Sequence, residues 1–593
     1  MSSGLCVTVA LFSAVLINSA TAQVQKTPAR ETSEATERHN YKIDLNVDFE
    51  SLSYTGRELV RWNNQGEKSA STIYFHLYSN LRSGDQPPVN ANPSITNSAV
   101  TDEPRIDIVE VRDAGNAALP YSFDDQGATL RVNLREPVAP GAATEILLRF
   151  KGTVPEIDPE ETGLATHVVK QVSAALRAER EIRRARDINF RCRGVMLLGT
   201  AYPVLAVHDG DEWRRKVEAT VGDIIFSESA DYEVTIETQQ GVTVFAPGTE
   251  IAAKSADRSR KTYSGSALRE FAILAGRGLH SEQTEVEGIT VTSIFLPEHE
   301  RVGKRVLAIA TNALRTFTSV FGRLPFKDVK IAEAPLVAGL GSTEFSAFSI
   351  IASAFYVDFD SPAMRNLPEI IREQRPAVEE SLEWTVGHLT AHQWWGAAVG
   401  NDPAREPVLD EALSCWSSLL YYKAAYGEEK SATVLDDQVR GVYRLYRTFG
   451  GDDMDANRPS HDFRNTFQYA AIVTAKGALM FAELQRLLGE EKLFAALRNY
   501  YQANMFEIAD LDDLRGALIA ESPIEQRRTV GRTFSRWLSA KRGDEDIATP
   551  DTELAKSLGL PIKPPQQRSG ERNALEAFAK LGKFFWQQMT RIR

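Results

Sequence analysis

Two histidines four residues apart, followed by a glutamate, have the spacing of a metal site. At this spacing His388 and His392 lie on one face of a helix, so both imidazoles can reach the same ion. Glu411 comes after eighteen intervening residues, where a second helix can supply its carboxylate as the third ligand. Three such ligands with an open fourth position are typical of a Zn²⁺ site that performs chemistry. The sequence therefore predicts one zinc ion on these three side chains.

The residue after the first histidine departs from the usual pattern. In the HExxH pattern this position is a glutamate, because its carboxylate takes the proton from zinc-bound water. Here it is Leu389. Glu379, Glu380 and Glu383 lie upstream on the same helix, and Glu383 points away from the face of the first ligand, five residues before it. We therefore expect the chain to keep the metal and to lack the general base.

The segments around these residues resemble those of a known family. Residues 388–396 read HLTAHQWWG, residues 408–416 read VLDEALSCW, and residues 341–345 read GSTEF, with FGRLPF upstream at 321–326. They are similar to the HELAHQWFG helix, the WLNEGFASY segment and the GxMEN loop of the aminopeptidase N type zinc metallopeptidases, which are gluzincins. The resemblance covers roughly residues 38 to 540.

The resemblance implies a fold, a ligand set and a partner. The fold is α+β and multidomain: an N-terminal antiparallel β domain followed by a thermolysin-like, mainly helical zinc-peptidase domain. His388, His392 and Glu411 are the implied zinc ligands, and Glu344 is the implied carboxylate that holds the free α-amine of a substrate. The implied partner is the N-terminus of a peptide or protein.

Two further positions differ from the family pattern. Thr474 stands where the family has the tyrosine of a Tyr-x-Lys-Gly segment, whose hydroxyl stabilises the oxyanion, and Phe345 replaces the asparagine of GxMEN. A general base contributes roughly 10²–10⁴ in rate and an oxyanion donor roughly 10²–10³, although such losses need not add. The usual peptide hydrolysis is therefore expected to be impaired, unless Tyr469 supplies the missing phenol.

Three functions fit these residues. The first is a pseudopeptidase that binds zinc and a peptide N-terminus without cutting it. The second is a slow or unconventional zinc metallopeptidase or aminopeptidase. The third is a structural or docking module whose working part is the C-terminal helix at residues 574–593. The first is our preferred hypothesis, and no catalytic residue is assigned.

Hydrophobic periodicity divides the chain into a part with predicted β-strands and a part with predicted helices. From residue 39 to about 278, short alternating runs separated by Gly, Pro, Asn and Asp predict β-strands, and after residue 288 helical spacing dominates. The predicted organisation is a signal peptide at 1–22, a linker at 23–37, the β domain at 38–282, the peptidase domain at 283–540, a linker at 541–573 and an amphipathic helix at 574–593.

Composition excludes some classes of partner. Hydrophobic residues make up 43% and charged residues 25%, as in ordinary globular proteins, and the net charge of −12 disfavours nucleic acid. An apolar run over residues 5–17, followed by Ala-Thr-Ala at 20–22, indicates secretion or export to a periplasm, although this start lacks Lys and Arg. Cys192 and Cys415 remain after signal removal, and a disulfide is an alternative to two free thiols. A buried free thiol is the preferred state.

Two charged segments have competing interpretations. Residues 168–187 have helical spacing with many arginines, which fits a solvated helix better than an RNA-binding one. Residues 574–593 combine an apolar face with four cations, which fits either a helix that packs on the body of the protein or one that contacts a membrane surface or a partner protein.

Overall fold

The fold is described from a computed structural model of the chain. The residues that the structure describes are 38–82, 102–176, 180–218, 220–251, 259–362, 364, 372–373 and 375–557.

The N-terminal part is built from β-strands, as predicted. In β1 (His39–Asp48) every second side chain is buried, because one face of the strand lies on the core and the other faces solvent. The strands that follow are β2 (Ser53–Asn63), β3 (Ala70–His76), β4 (Arg105–Asp113), β5 (Tyr121–Asp124), β6 (Thr129–Val138), β7 (Ala143–Thr153), β8 (Asn189–Cys192), β9 (Val195–Leu198), β10 (Val204–Leu205), β11 (His208–Asp209), β12 (Glu212–Trp213), β13 (Ala230–Glu237), β14 (Thr243–Phe245), β15 (Thr249–Ile251), β16 (Arg260–Leu268) and β17 (Ile273–Gly276).

The largest sheet of this part has the strand order β15-β16-β13-β1-β2-β7-β4. Its neighbours are antiparallel apart from β1 and β13, which run parallel. Two four-stranded sheets, in the orders β10-β3-β6-β5 and β14-β17-β9-β8, and the β11-β12 pair complete the part.

A five-stranded mixed sheet opens the second part, with the order β18-β19-β20-β22-β21. Its strands are β18 (His280–Val286), β19 (Ile289–Phe295), β20 (Asp328–Ala334), β21 (Ser342–Phe345) and β22 (Phe348–Ala352). The short β21 lies at the edge of the sheet and carries Glu344.

Helices form the rest of the second part, which confirms the predicted fold class. They are α1 (Leu164–Leu176), which precedes this part, then α2 (Glu300–Phe321), α3 (Arg375–His392), α4 (Val408–Tyr426), α5 (Glu428–Val434), α6 (Gly441–Thr448), α7 (Thr466–Tyr469), α8 (Gly477–Leu488), α9 (Glu490–Ala503), α10 (Leu511–Glu521), α11 (Arg527–Ser539), α12 (Gly543–Asp546) and α13 (Thr552–Ser557). Two π-helical segments, Leu435–Arg440 and Ala470–Lys476, join α5 to α6 and α7 to α8. Gly489 ends α8 with φ +78°, in the left-handed region that glycine adopts after a helix C-terminus.

The interpretation of residues 168–187 as one helix was wrong. Helix α1 is described up to Leu176, residues 180–184 are not helical, and residues 185–187 form a short 3₁₀ turn. Arg184 pairs with Glu103, and Arg186 pairs with Asp102 and Glu161, so both arginines form long-range ion pairs. Residues 181–187 are buried or half-buried and therefore do not form a solvated charged helix.

Other predictions have mixed outcomes. Cys192 and Cys415 are both buried and free, which confirms the thiol prediction. Among the described residues, no helix is both long enough and apolar enough to cross a bilayer. The signal peptide, the first linker and the helix at 574–593 fall outside the described residues, and the domain boundaries remain predictions.

Candidate metal centre

Helices α3 and α4 bring the three predicted ligands together. His388 and His392 lie one turn apart near the end of α3, and their Nε2 atoms are 3.1 Å from each other. Glu411 lies in the first turn of α4, with Oε2 3.5 Å from His388 Nε2 and 3.9 Å from His392 Nε2. These three ligand atoms lie within 4.8 Å of one another.

The protonation states in this cluster suit a cation. The Nδ1 of His392 donates to the carbonyl oxygen of Trp395 at 3.1 Å, which leaves the lone pair of Nε2 facing the other two ligands. Burial and the neighbouring His388 lower the pKa of His392 to about 3, so its imidazole is neutral. Burial alone would raise the pKa of Glu411, but the hydrogen bond and charge of His388 bring it below its ordinary value. Two imidazoles and an ionised carboxylate are a donor set that fits Zn²⁺.

The turn after α3 explains why the helix ends at His392. Gly396 has φ +107°, and a Cβ there would lie 3.5 Å from His392 Nδ1. The indole of Trp395 donates to Ser417 on α4 at 3.1 Å. This turn therefore both orients His392 and locks the two ligand helices together.

Strand β21 places Glu344 beside the ligands. Gln393, directly after α3, ties the end of the helix to the β21–β22 turn, because its Oε1 accepts from the Ala347 amide at 2.7 Å and its Nε2 donates to the Phe345 carbonyl at 3.3 Å. Glu344 Oε1 is then 4.0 Å from His392 Nε2. Burial, followed by the charge of Glu411, raises the pKa of Glu344 to about 7. The structure thus brings the predicted amine-binding carboxylate to the predicted metal site.

Leu389 is fully buried in the hydrophobic core, with no exposed surface. The upstream acids of α3 are engaged elsewhere, as expected. Glu383 accepts hydrogen bonds from Tyr421 at 2.7 Å and Tyr426 at 2.5 Å, and Glu380 pairs with Lys430. Helix α3 therefore provides a hydrocarbon where a general base would stand.

Two hydroxyl groups approach the third ligand from the π-helical region. Thr474 Oγ1 lies 3.5 Å from Glu411 Oε2, and Tyr469 OH lies 3.4 Å from Glu411 Oε1. Gly477 allows this approach, because a Cβ there would lie 2.6 Å from the Cβ of Ala412 on α4. The phenol of Tyr469 thus reaches the edge of the site, which was the less favoured of the sequence alternatives.

Asp223 is the main site residue that sequence reasoning missed. It lies between β12 and β13, and its carboxylate falls within 4.8 Å of those of Glu344 and Glu411. Burial and the nearby Glu344 raise the pKa of Asp223 well above its ordinary value. No motif marks this aspartate, because only tertiary packing brings its loop to the metal centre.

A buried arginine anchors the loop of Asp223 to both parts of the fold. Arg269 donates to the carbonyl oxygens of Ala397 at 2.9 Å, Ser227 at 3.2 Å and Glu507 at 2.8 Å. The neighbouring Glu270 accepts from the Ser346 amide at 2.6 Å. These contacts fix the β-rich part against the turn that follows α3.

Two pockets flank the metal centre and differ in size and chemistry. The smaller pocket has a volume of about 80 Å³; its lining includes His392, the carboxyl groups of Asp223, Glu270, Glu344 and Asp410, and the guanidinium groups of Arg183, Arg184 and Arg269. The apolar pocket has a volume of about 250 Å³ and opens beside His388 and Glu411; its lining includes Leu340, Trp384, Cys415, Val442, Phe467 and Tyr469. A larger groove of about 1130 Å³ adjoins Asp223 and leads outward past Asp402 and His461.

Comparison with known proteins identifies the domain that carries this centre. Residues 363–537 match the peptidase family M1 domain. Aminopeptidase M1-B of Oryza sativa subsp. japonica is 25% identical over 329 residues, which are 53% of this chain and 35% of that protein. Aminopeptidase N of Streptomyces lividans is 26% identical over 202 residues, 31% of this chain and 22% of that protein. The chain thus spans about a third or less of the length of these two relatives.

Solved structures share the fold. The M1 zinc metallopeptidase from Deinococcus radiodurans superposes with a TM-score of 0.54 at 15% identity, covering 85% of this chain and 94% of that one. A mutant of that protein was solved with a Tyr-Ser-Ala substrate, at a TM-score of 0.53 and 14% identity with the same coverage. Another mutant, of a two-domain M1 zinc metallopeptidase, was solved with L-tryptophan, at a TM-score of 0.52 and 16% identity over 85% of this chain and 94% of that one. Residues 363–537 are thus a peptidase family M1 domain, and the relatives and the shared two-part fold support an aminopeptidase N type gluzincin.

Proposed function

We propose that this protein holds one zinc ion on His388, His392 and Glu411 and binds the free N-terminus of a peptide there, with peptide hydrolysis impaired. The observation that carries the proposal is the pairing of a metal-binding triad with the buried hydrocarbon of Leu389. Zinc, when bound, supplies a Lewis acid that polarises a carbonyl oxygen. Residues of this chain recognise the peptide N-terminus, but helix α3 carries no general base at position 389.

The carboxylates on the His392 side give a reason for amine recognition. Glu344 and Asp223 converge within 4.8 Å of Glu411, where an ammonium group can neutralise their mutual repulsion. M1 zinc metallopeptidases solved with a tripeptide, with L-tryptophan and with L-arginine all hold ligands with a free amine, which supports this assignment. A terminal amine at these two acids would place the adjoining carbonyl at the metal centre.

Removing one of these acids tests the recognition step. Glu344→Gln is expected to weaken binding of a peptide with a free N-terminus by about tenfold or more, because a charge-assisted hydrogen bond is lost. Zinc content should be unchanged, since Glu344 is not one of the three ligands. Calorimetric titration of the zinc-loaded protein with a free and an N-acetylated tripeptide measures the effect.

Glu218 provides the matched control, because it lines the groove of about 1130 Å³ that adjoins Asp223 and is not one of the metal-centre residues. Glu218→Gln should bind the free tripeptide like the wild type. Equal binding of free and acetylated peptides by the wild-type protein would show that the amine is not recognised, and the proposal would then be wrong.

Slow zinc-dependent hydrolysis is the second candidate, and the position of Asp223 favours it. This carboxyl group reaches the centre from outside α3, so it can take a proton that Leu389 cannot. Any chelator-sensitive hydrolysis of aminoacyl-amides by the wild type should then fall by about 10²–10⁴ in Asp223→Asn. Turnover that persists in this variant, with zinc still bound, would exclude Asp223 as the base.

The cellular location and the C-terminal segment complete the proposal. The apolar start of the chain, with its Ala-Thr-Ala site at 20–22, supports secretion or export to a periplasm. Residues 574–593, whose sequence combines four cations with apolar residues at helical spacing, are proposed to pack on the body of the protein, with contact to a membrane surface or a partner protein as the alternative. A third function, a structural or docking module, would rest on this segment alone.

A further inference from the structure

We propose that Arg183 binds a carboxylate of the ligand, so that this centre prefers a free α-amino acid to an amide or a peptide, and this inference rests on the proposed function. In that function the amine of the terminal residue lies at Glu344 and Asp223, and its carbonyl group lies at the metal centre. In a peptide the carbonyl carbon carries a neutral amide nitrogen, whereas in a free amino acid it carries a second oxygen and a negative charge. A cation beside the metal centre can discriminate between these two ligands.

Three arginines line the smaller pocket, and they differ in what their side chains contact. Arg184 pairs with Glu103 and Asp102. Arg269 donates to three backbone carbonyl oxygens. The side chain of Arg183, by contrast, forms no hydrogen bond or ion pair with any residue that the structure describes. A half-buried guanidinium without an anion is a ready partner for a carboxylate, which it can bind through two parallel hydrogen bonds.

Arg183 lies where the two pockets that flank the metal centre meet. It lines the smaller pocket together with Asp223 and Glu344, and it lines the apolar pocket together with His388 and Glu411. Burial raises the pKa of Asp223 and of Glu344, and the positive charge of Arg183 opposes both shifts. The guanidinium therefore lies close to the acids that are proposed to take the amine, and on the same side as the metal ligands.

Contacts on both sides fix the backbone of the segment that carries Arg183. The amide of Arg183 donates to the carbonyl oxygen of Thr220 at 3.2 Å. Two residues earlier, the carboxylate of Glu181 accepts from the amide and the hydroxyl of Thr466 at 2.9 and 3.0 Å, which ties the segment to the helical part of the fold. Because its backbone is already ordered, Arg183 loses less conformational entropy when a ligand binds.

The position of Arg183 also disfavours a ligand that brings only a positive charge. The ammonium group of an amide or a peptide enters a pocket that this guanidinium lines, and the two cations repel each other. A free amino acid is a zwitterion, so its ammonium group can lie at Glu344 and Asp223 while its carboxylate faces Arg183. One cation beside two acids is therefore complementary to a zwitterion.

Leucine and leucinamide are matched probes, because they share the amine and the side chain and differ only in the carboxylate. Calorimetric titration of the zinc-loaded full chain at neutral pH should show leucine binding about 10- to 100-fold tighter than leucinamide, as expected for hydrogen bonds between charged groups. Glycine and glycinamide should show a similar ratio, because the preference does not depend on the side chain of the ligand.

Variants at Arg183 separate its contribution from that of the metal. Arg183→Gln should weaken leucine binding by about tenfold or more and leave zinc content and leucinamide binding unchanged. Arg183→Lys keeps the charge but not the planar fork, so it should retain part of the preference. Arg183→Met, which has no charge, is the second neutral variant if Arg183→Gln does not fold. Lys170→Gln is the matched control, because Lys170 is an exposed cation that lines the apolar pocket but not the smaller one, and this variant should behave like the wild type.

The outcomes distinguish carboxylate recognition from the proposed function on which it rests. Equal binding of leucine and leucinamide by the wild type would overturn carboxylate recognition and leave amine recognition intact. A preference for leucine that survives in Arg183→Gln would assign the carboxylate to the zinc ion, and an equal loss in Lys170→Gln would assign it to the general positive field; either result would overturn the role of Arg183. N-acetylleucine that binds as tightly as leucine would refute amine recognition and with it the proposed function. Absence of binding by all of these probes to protein with stoichiometric zinc would refute both.

Discussion

His392→Ala is expected to abolish stoichiometric zinc binding. The wild-type protein should carry about one zinc ion per chain, and the variant should bind the ion at least about 100-fold more weakly, since even outer partners of metal ligands contribute 10- to 100-fold. His392 is the most deeply buried ligand, with a side chain that is 2% exposed. Its Nδ1 is hydrogen-bonded to the Trp395 carbonyl oxygen, which leaves its Nε2 facing the metal site.

Metal analysis of the purified protein and thermal unfolding give two independent readouts. A bound ion stabilises the native state by about 2.7 kcal/mol when its free concentration is a hundred times the dissociation constant. A chelator should therefore lower the unfolding temperature of the wild type and leave that of the variant almost unchanged. His280→Ala is the control, because this histidine is exposed on β18. Wild-type protein that binds no zinc, or a His392→Ala protein that keeps one equivalent, would contradict the metal site.

The ligand triad was predictable because its information is local. Two histidines at a four-residue spacing must share a face of any helix, and α3 is helical through both. The third ligand followed from the resemblance of residues 408–416 to a family segment, and α4 presents Glu411 in its first turn. Alternation of buried and exposed residues predicted strands such as β1 for the same reason.

Residues that depend on tertiary packing were not predictable in the same way. Asp223 lies in a loop without periodicity, and it reaches the centre only because Arg269 fixes that loop against the turn after α3. The segment after α1 has a composition that favours helix, yet Arg184 and Arg186 form ion pairs with distant acids and become part of the wall of a pocket. Long-range contacts override local propensity at both places.

Leu389→Glu is the change with the largest expected gain of activity. A general base that is correctly placed contributes about 10²–10⁴ in rate, so hydrolysis of an aminoacyl-amide by the zinc-loaded variant should rise by up to that factor over the wild type. Leu389→Gln introduces a side chain of nearly the same shape as glutamate, but the amide is not a base. It should therefore show no gain.

The Leu389→Glu substitution is expected to lower the stability of the folded protein. Leu389 has no exposed surface, and an ionised carboxylate buried there without a partner is unfavourable. Both Leu389→Glu and Leu389→Gln are expected to lower the unfolding temperature, and the loss should be smaller with zinc bound. Circular dichroism and metal analysis of the two variants establish that a difference in rate reflects the base and not the amount of folded, loaded protein.

Thr474→Tyr is expected to add to this gain only when the base is present. A phenol in this position supplies about 10²–10³ as an oxyanion donor, but groups that act as a unit give little when one is missing. Thr474→Tyr alone should therefore stay near the wild-type rate, whereas the Leu389→Glu, Thr474→Tyr double variant should exceed Leu389→Glu.

The rate that Thr474→Tyr can add depends on Tyr469, because the Tyr469 hydroxyl already lies 3.4 Å from Glu411. If this phenol serves as the donor, Tyr469→Phe in the Leu389→Glu background should reduce the rate by about 10²–10³, and Thr474→Tyr should then restore it. Leu389→Glu that holds zinc and remains as inactive as Leu389→Gln would mean that loss of the base is not what limits hydrolysis. Wild-type protein that already hydrolyses peptides at the rates of ordinary peptidases would contradict the impaired centre altogether.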